Sequence, residues 1–212
     1  MFGFLIRSIL LGIGVFGNFD ISTRYLDKKD LSDFILKKSR LFSFLCNYIA
    51  ILALCFSFVK KFKIFRWIHS FLITFSLSTQ FTSVFIYWTY KRHYPTHFTR
   101  INTGDRRKDI LIEYSQHFVL FLACLIDPFF VNIYRKFMRL ILLLFSISYV
   151  IFNCYVNYTT NTWIYSFMKE VDNIKRCTFF ALIIILPQFF YKFLQIFMPR
   201  NTNKTDETVY IK

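Results

Sequence analysis

The fold class this sequence predicts is all-α, a polytopic membrane protein whose six transmembrane helices surround an intramembrane polar pocket. Three observations predict it. Of 212 residues 55% are hydrophobic and 30 are Phe, more apolar surface than an ordinary soluble core of this size hides. The apolar residues fall in six long runs separated by polar, basic stretches. A few polar side chains, His117 above all, sit inside those runs, where an ionisable group is costly and marks a functional site by default.

A spanning helix needs about 20 residues, within a range near 17–25. The first candidate, Phe2–Phe19, is short. With Arg7 ahead of an apolar stretch it also fits a signal peptide, but Phe16–Asn18 offers no small-residue cleavage site, which favours a span. Leu41–Val59, Trp67–Tyr90, Ile110–Val131, Phe137–Val156 and Cys177–Met198 follow as the second to sixth spans. Residues 1–212 therefore form a single transmembrane domain, with residues 199–212 as a polar tail. Ile21–Arg40, Lys91–Asp109 and Thr159–Arg176 are polar loops on one side. Lys60–Arg66 and Pro128–Lys136 are tight basic turns on the other.

The net charge of +15 is distributed as short Lys and Arg clusters that flank apolar runs. Membrane lipids are the expected partner, with headgroup phosphates as counter-charge, and nucleic acid is not. Lys and Arg divide almost evenly between the two sides. The tight basic turns carry few acids, which places both termini in the cytosol. Five cysteines lie within or at the ends of apolar runs without a CxxC or Cys/His cluster, so they read as small apolar side chains. His93-Tyr94-Pro95-Thr96-His97 has a spacing that can bind metal. Pro95 breaks the helix and no third ligand is evident, so neither a metal nor another cofactor is expected.

Parity orders the polar residues. The second and fourth spans both start from the loop side, so Ser43 and His117 fall in one half of the membrane. Their depths differ by roughly 7–8 Å at 1.5 Å rise per residue. A hydroxyl and an imidazole so placed suggest a nucleophile and its base. His69 enters from the opposite side and is excluded. Asn47, one turn from Ser43, is either an oxyanion donor or a packing contact. Gln80 beside the Thr74, Ser78 and Thr82 stripe is a second candidate donor. Glu113 would orient the imidazole or simply be solvated. Tyr114 shares its face, and Trp163 and Tyr165 suit an interfacial belt or a lid.

From about Ser39 to Gln195 the chain resembles the family of multi-pass membrane hydrolases that includes the androgen-induced gene product and the androgen-dependent TFPI-regulating protein. Arg40-Leu41-Phe42-Ser43-Phe44 is similar to a basic-aromatic-Leu-Thr-Phe motif whose Thr is the family's proposed nucleophile. His117, ten residues before Asp127, takes the place of its proposed base. Tyr114 stands where a second family histidine is found. In the loop after the fifth span Trp163 and Tyr165 match, while two histidines, a Gly and a Pro are absent. The resemblance implies metal-independent hydrolysis of fatty acid esters of hydroxy fatty acids by a Ser/Thr-type carboxylic ester hydrolase. A lipid ester substrate implies lipid metabolism, with the endoplasmic reticulum as the expected membrane and the plasma membrane as the alternative. The competing reading is a non-catalytic multi-pass protein: a pseudoenzyme, a scaffold or a lipid-binding regulator.

Overall fold

A computed structural model describes residues 2–19, 41–59, 62–95, 106–126, 134 and 137–197. His97, Asp127, the 199–212 tail and most of the first two polar loops lie outside them. All regular elements among the described residues are helical: α1 (Phe2–Phe19), α2 (Phe42–Val59), α3 (Lys63–His93), α4, α5 (Met138–Thr160) and α6 (Asn173–Phe197). The fourth helix has three parts, α-helical Arg106–Tyr114, a π-helical turn Ser115–Val119 and α-helical Leu120–Ile126. Helices α2, α3, α5 and α6, and Asp109–Ile126 of α4, are long and apolar enough to cross a membrane, whereas α1 contributes the shorter apolar run Leu5–Asn18.

Helix ends depart from the apolar runs for local reasons. α3 begins at Lys63 and ends at His93, so Lys63 and Arg66 are helical rather than part of a turn. No Gly or Pro interrupts Lys63–Trp67, and long basic side chains can lie along a helix while their charges stay in water. α5 is bounded by two residues in the left-handed region, Phe137 at φ 55° and Asn161 at φ 51°, and it carries Thr159 and Thr160 inside the helix instead of in the loop. α6 starts four residues earlier than its apolar run because Asp172 caps it, accepting from the Lys175 N–H at 2.8 Å. That bond holds the Asp172 carboxyl below its ordinary value.

α3 is the central helix: 67% of its apolar window is buried, against 22% for α5. It packs on α2, α4 and α6. α5 turns Leu144, Ile151 and Tyr155 outward, as expected of a helix facing lipid. The 161–172 connection folds back over the helix ends as a strap containing a 3₁₀ turn, Ser166–Lys169. Phe167 and Met168 in that turn are fully enclosed.

Candidate functional site

α2 carries both halves of the site because its faces diverge. Asn47 lies about 140° around the helix from Phe42, whereas Ser43 lies only about 40° from Asn47. On the Asn47 face a seam of buried amides joins four helices. Asn47 Nδ2 donates to Asn18 Oδ1 and to the Gln116 carbonyl, each at 2.6 Å. Gln80 Nε2 donates to Asn47 Oδ1 at 2.8 Å. Gln116 Nε2 donates to the Gly17 carbonyl at 2.6 Å, and Asn18 Nδ2 to the Gly14 carbonyl at 2.8 Å. In lipid every polar group needs such an internal partner.

Gly14 and Gly17 let α1 approach this closely. A Cβ on Gly17 would overlap the Ser115 side chain, and one on Gly14 would overlap Leu120. The fourth helix meets α1 through its π-helical turn. A π turn inserts one residue into the helical ladder and is often found at functional sites. Here it contains Ser115, Gln116 and His117, all buried. The turn thus presents the Gln116 carbonyl sideways to Asn47 while His117 faces α3.

His117 stacks on Tyr87, with ring centroids 3.5 Å apart and planes at 12°. The Tyr87 hydroxyl donates to Glu113 Oε1 at 2.5 Å. Lys91 forms an ion pair with the same carboxylate oxygen, and its ammonium lies 5.1 Å from the Trp88 ring centroid. Trp88 in turn packs on the exposed Tyr114 at 5.1 Å. Glu113 is therefore engaged by Tyr87 and Lys91, and its link to His117 runs through the Tyr87 ring.

Depths follow from the Asn47–Gln116 bond. Ser43 is one turn nearer the loop side than Asn47, and His117 is one residue deeper than Gln116. Their axial offset is about 7–8 Å, close to the separation expected from parity. Among the described residues no hydrogen bond joins the Ser43 hydroxyl to His117. Both amide hydrogens of Asn47 are taken by Asn18 and Gln116, so none is left for an oxyanion in this arrangement. Gln80 Oε1 is buried without a partner among the described residues.

The opposite flank of α2 is aromatic. Phe42 packs on Tyr149 at 5.1 Å, and its N–H, one of the groups a helix start leaves unpaired, donates to the Tyr165 hydroxyl at 2.9 Å. The Tyr165 and Tyr149 hydroxyls are 3.1 Å apart. Enclosure of the Tyr165 hydroxyl raises it well above its ordinary value. Trp163 packs on Phe180 and under the Arg176 guanidinium, at 6.1 and 5.4 Å. The strap with Trp163 and Tyr165 therefore touches α2 beside Ser43, but on the side away from His117. The Thr74, Ser78 and Thr82 hydroxyls donate back to carbonyls of their own helix.

Sequence reasoning missed Tyr87, Lys91, Asn18 and Gln116. Tyr87 and Lys91 are one turn apart on α3, which was the available signal. Asn18 ends an apolar run, and Gln116 adjoins His117.

These features define a helical protein with, among the described residues, five helices long and apolar enough to cross a membrane, clamped by a buried amide seam and carrying a stacked imidazole in a π turn. Comparison with family models, with curated proteins and with solved structures yields no match to the chain.

Proposed function

We propose that the chain is a six-span intramembrane hydrolase of lipid esters, with fatty acid esters of hydroxy fatty acids as the substrate class, Ser43 as nucleophile and His117 as base. The observation that carries this reading is the setting of His117. A buried imidazole in a π turn, stacked on an aromatic ring, is an expensive arrangement for mere packing. In the reaction His117 takes the Ser43 proton as the hydroxyl oxygen bonds to the ester carbonyl carbon. The tetrahedral adduct collapses, the alkoxide leaves and takes that proton from His117, and an acyl-serine remains. Water then attacks with His117 as base again, releasing the fatty acid and restoring Ser43. An ester with two acyl chains reaches such a site from the bilayer, and water reaches it from the loop side. An endoplasmic reticulum or plasma membrane location with both termini cytosolic belongs to the same proposal.

The direct test is hydrolysis of such an ester by purified protein in detergent. Ser43→Ala and His117→Ala should each lose at least about 10²-fold in rate while retaining the helical signal and thermal transition of the wild type. Hydrolysis near the wild-type rate by either folded variant would rule the mechanism out.

The lack of a Ser43–His117 hydrogen bond favours a second reading, a non-catalytic lipid-binding or scaffolding protein. A fluorophosphonate probe separates the two. The hydrolase labels at Ser43 and loses the label in Ser43→Ala; the scaffold stays unlabelled while folded.

A further inference from the structure

We propose that Tyr87 is the positioning residue that fixes the plane of His117, and that Glu113 and Lys91 act on the imidazole by holding Tyr87. This deepens the hydrolase reading and rests on it for its catalytic consequence.

The geometry is a column of four groups. Lys91 and the Tyr87 hydroxyl converge on one oxygen of Glu113. The two anchored α3 residues are i and i+4, so they present one face to α4. Glu113 and His117 are four residues apart across the π turn. The phenol ring spans the gap and lies flat on the imidazole. A near-parallel contact at 3.5 Å leaves the ring one orientation, and the Glu113 bond at the far end prevents the phenol from swinging away. Glu113 thus acts on His117 through the phenol, since both of its contacts, from Tyr87 and Lys91, converge on Oε1.

Electrostatics favours the same assignment. The elements packed round the π turn offer few other charges to His117. On α3 they are Tyr87 and Lys91, and on α4 Glu113. Arg7, the one charged side chain of α1, lies about 15 Å along the helix from Gly17. On α2 the Cys46 thiol is directed at Thr79. Lys91 neutralises Glu113, and the π face of Tyr87 lies directly against the imidazole.

The test uses the full chain in lipid nanodiscs with ring-labelled histidine. The chain has four histidines, and His117→Gln assigns the resonance. In wild type the His117 ring protons should lie upfield of those of the other histidines and show cross-relaxation to a Tyr87 ring. Tyr87→Leu should abolish the upfield shift and the cross-relaxation. It should also lower kcat more than it raises KM, as expected when the base is no longer held in place. Tyr87→Phe keeps the ring but loses the Glu113 bond, so its upfield shift should fall between those of wild type and Tyr87→Leu.

A wild-type His117 signal without the upfield shift would overturn the proposal even if Tyr87→Leu fails to fold. So would a folded Tyr87→Leu whose His117 ring-proton shifts match wild type. Failure of the hydrolase reading looks different: the stacking signature is present and responds to Tyr87→Leu, but wild type hydrolyses no ester.

Discussion

The two flanks of α2 hold the protein together by different means. On one flank Asn47 joins α1, α3 and α4 through three short amide bonds. On the other Phe42 enters an aromatic cluster with Tyr149, Phe167 and Phe179. Amide bonds are directional and require one register between helices. Ring contacts tolerate sliding and small rotations. The amide flank lies deep, where lipid supplies no competing partners. The aromatic flank lies at the loop-side end, beneath the strap. Precision is thus concentrated around the π turn and His117, and bulk burial around the strap. If Ser43 and His117 must meet, the register set by Asn47 governs their depth, whereas the strap governs how firmly the α2 start is held.

The largest effect should come from emptying the aromatic flank. Phe167 packs against Tyr90, Tyr94 and Phe179 at 5.1–5.6 Å and is almost completely enclosed. Phe167→Ala should cost about 3–5 kcal/mol in a reversible unfolding assay. It should also increase proteolysis within residues 161–172 while leaving the His117 environment intact. A change in His117 signals as large as the change at the strap would show that the two flanks are not independent.

Asn47→Leu attacks the other flank. It removes three interhelical bonds worth about 0.6 kcal/mol each in a membrane, so about 2 kcal/mol in all. The smaller loss should have the wider structural consequence, because α1 loses its bond to α2 and the Gln116 carbonyl loses its partner. Cysteine pairs placed across the α1–α4 contact should crosslink less efficiently in Asn47→Leu than in wild type. Unchanged crosslinking with unchanged stability would mean that glycine packing alone docks α1.

Much of this division was legible in the chain, and the unread part has physical causes. Each main helix among the described residues contains an apolar run, and five are long and apolar enough to cross a membrane. Ends were less readable, because Lys63 and Arg66 can be helical and still reach water. Parity puts Ser43 and His117 in one half only if all six runs cross, and five of the described helices are long and apolar enough to do so. The π turn left little trace: one inserted residue changes the hydrogen-bond ladder without changing composition, and the polar triplet Ser115-Gln116-His117 was its only mark. Glu113 looked like a partner for His117 because spacing within a helix is visible, whereas Tyr87 and Lys91 arrive from another helix whose rotation no single run reveals. Asn47 was recognised as a donor, but its acceptors Asn18 and Gln116 depend on the register between helices. Phe167 and Met168 were hidden by polar neighbours that made 161–172 resemble a solvated loop.

Tyr165→Phe is the mildest way to sharpen the contrast, because it keeps the ring in the aromatic cluster and removes only the hydroxyl. Phe42 loses the acceptor for its N–H and Tyr149 loses a partner, a loss of about 1 kcal/mol. The pH dependence gives a second readout. In the folded chain the Tyr165 hydroxyl titrates well above its ordinary value of 10.0, since enclosure disfavours the phenolate and the Tyr149 hydroxyl adds to this. A group whose folded value is raised contributes stability that is complete below the unfolded value and is lost as pH climbs beyond it. Wild type should therefore lose stability above about pH 10 more steeply than Tyr165→Phe, and the two should differ by a constant amount at pH 7–9. Parallel curves through pH 11 would place the Tyr165 hydroxyl in contact with water, and the strap would then be a loose cover rather than a latch on α2.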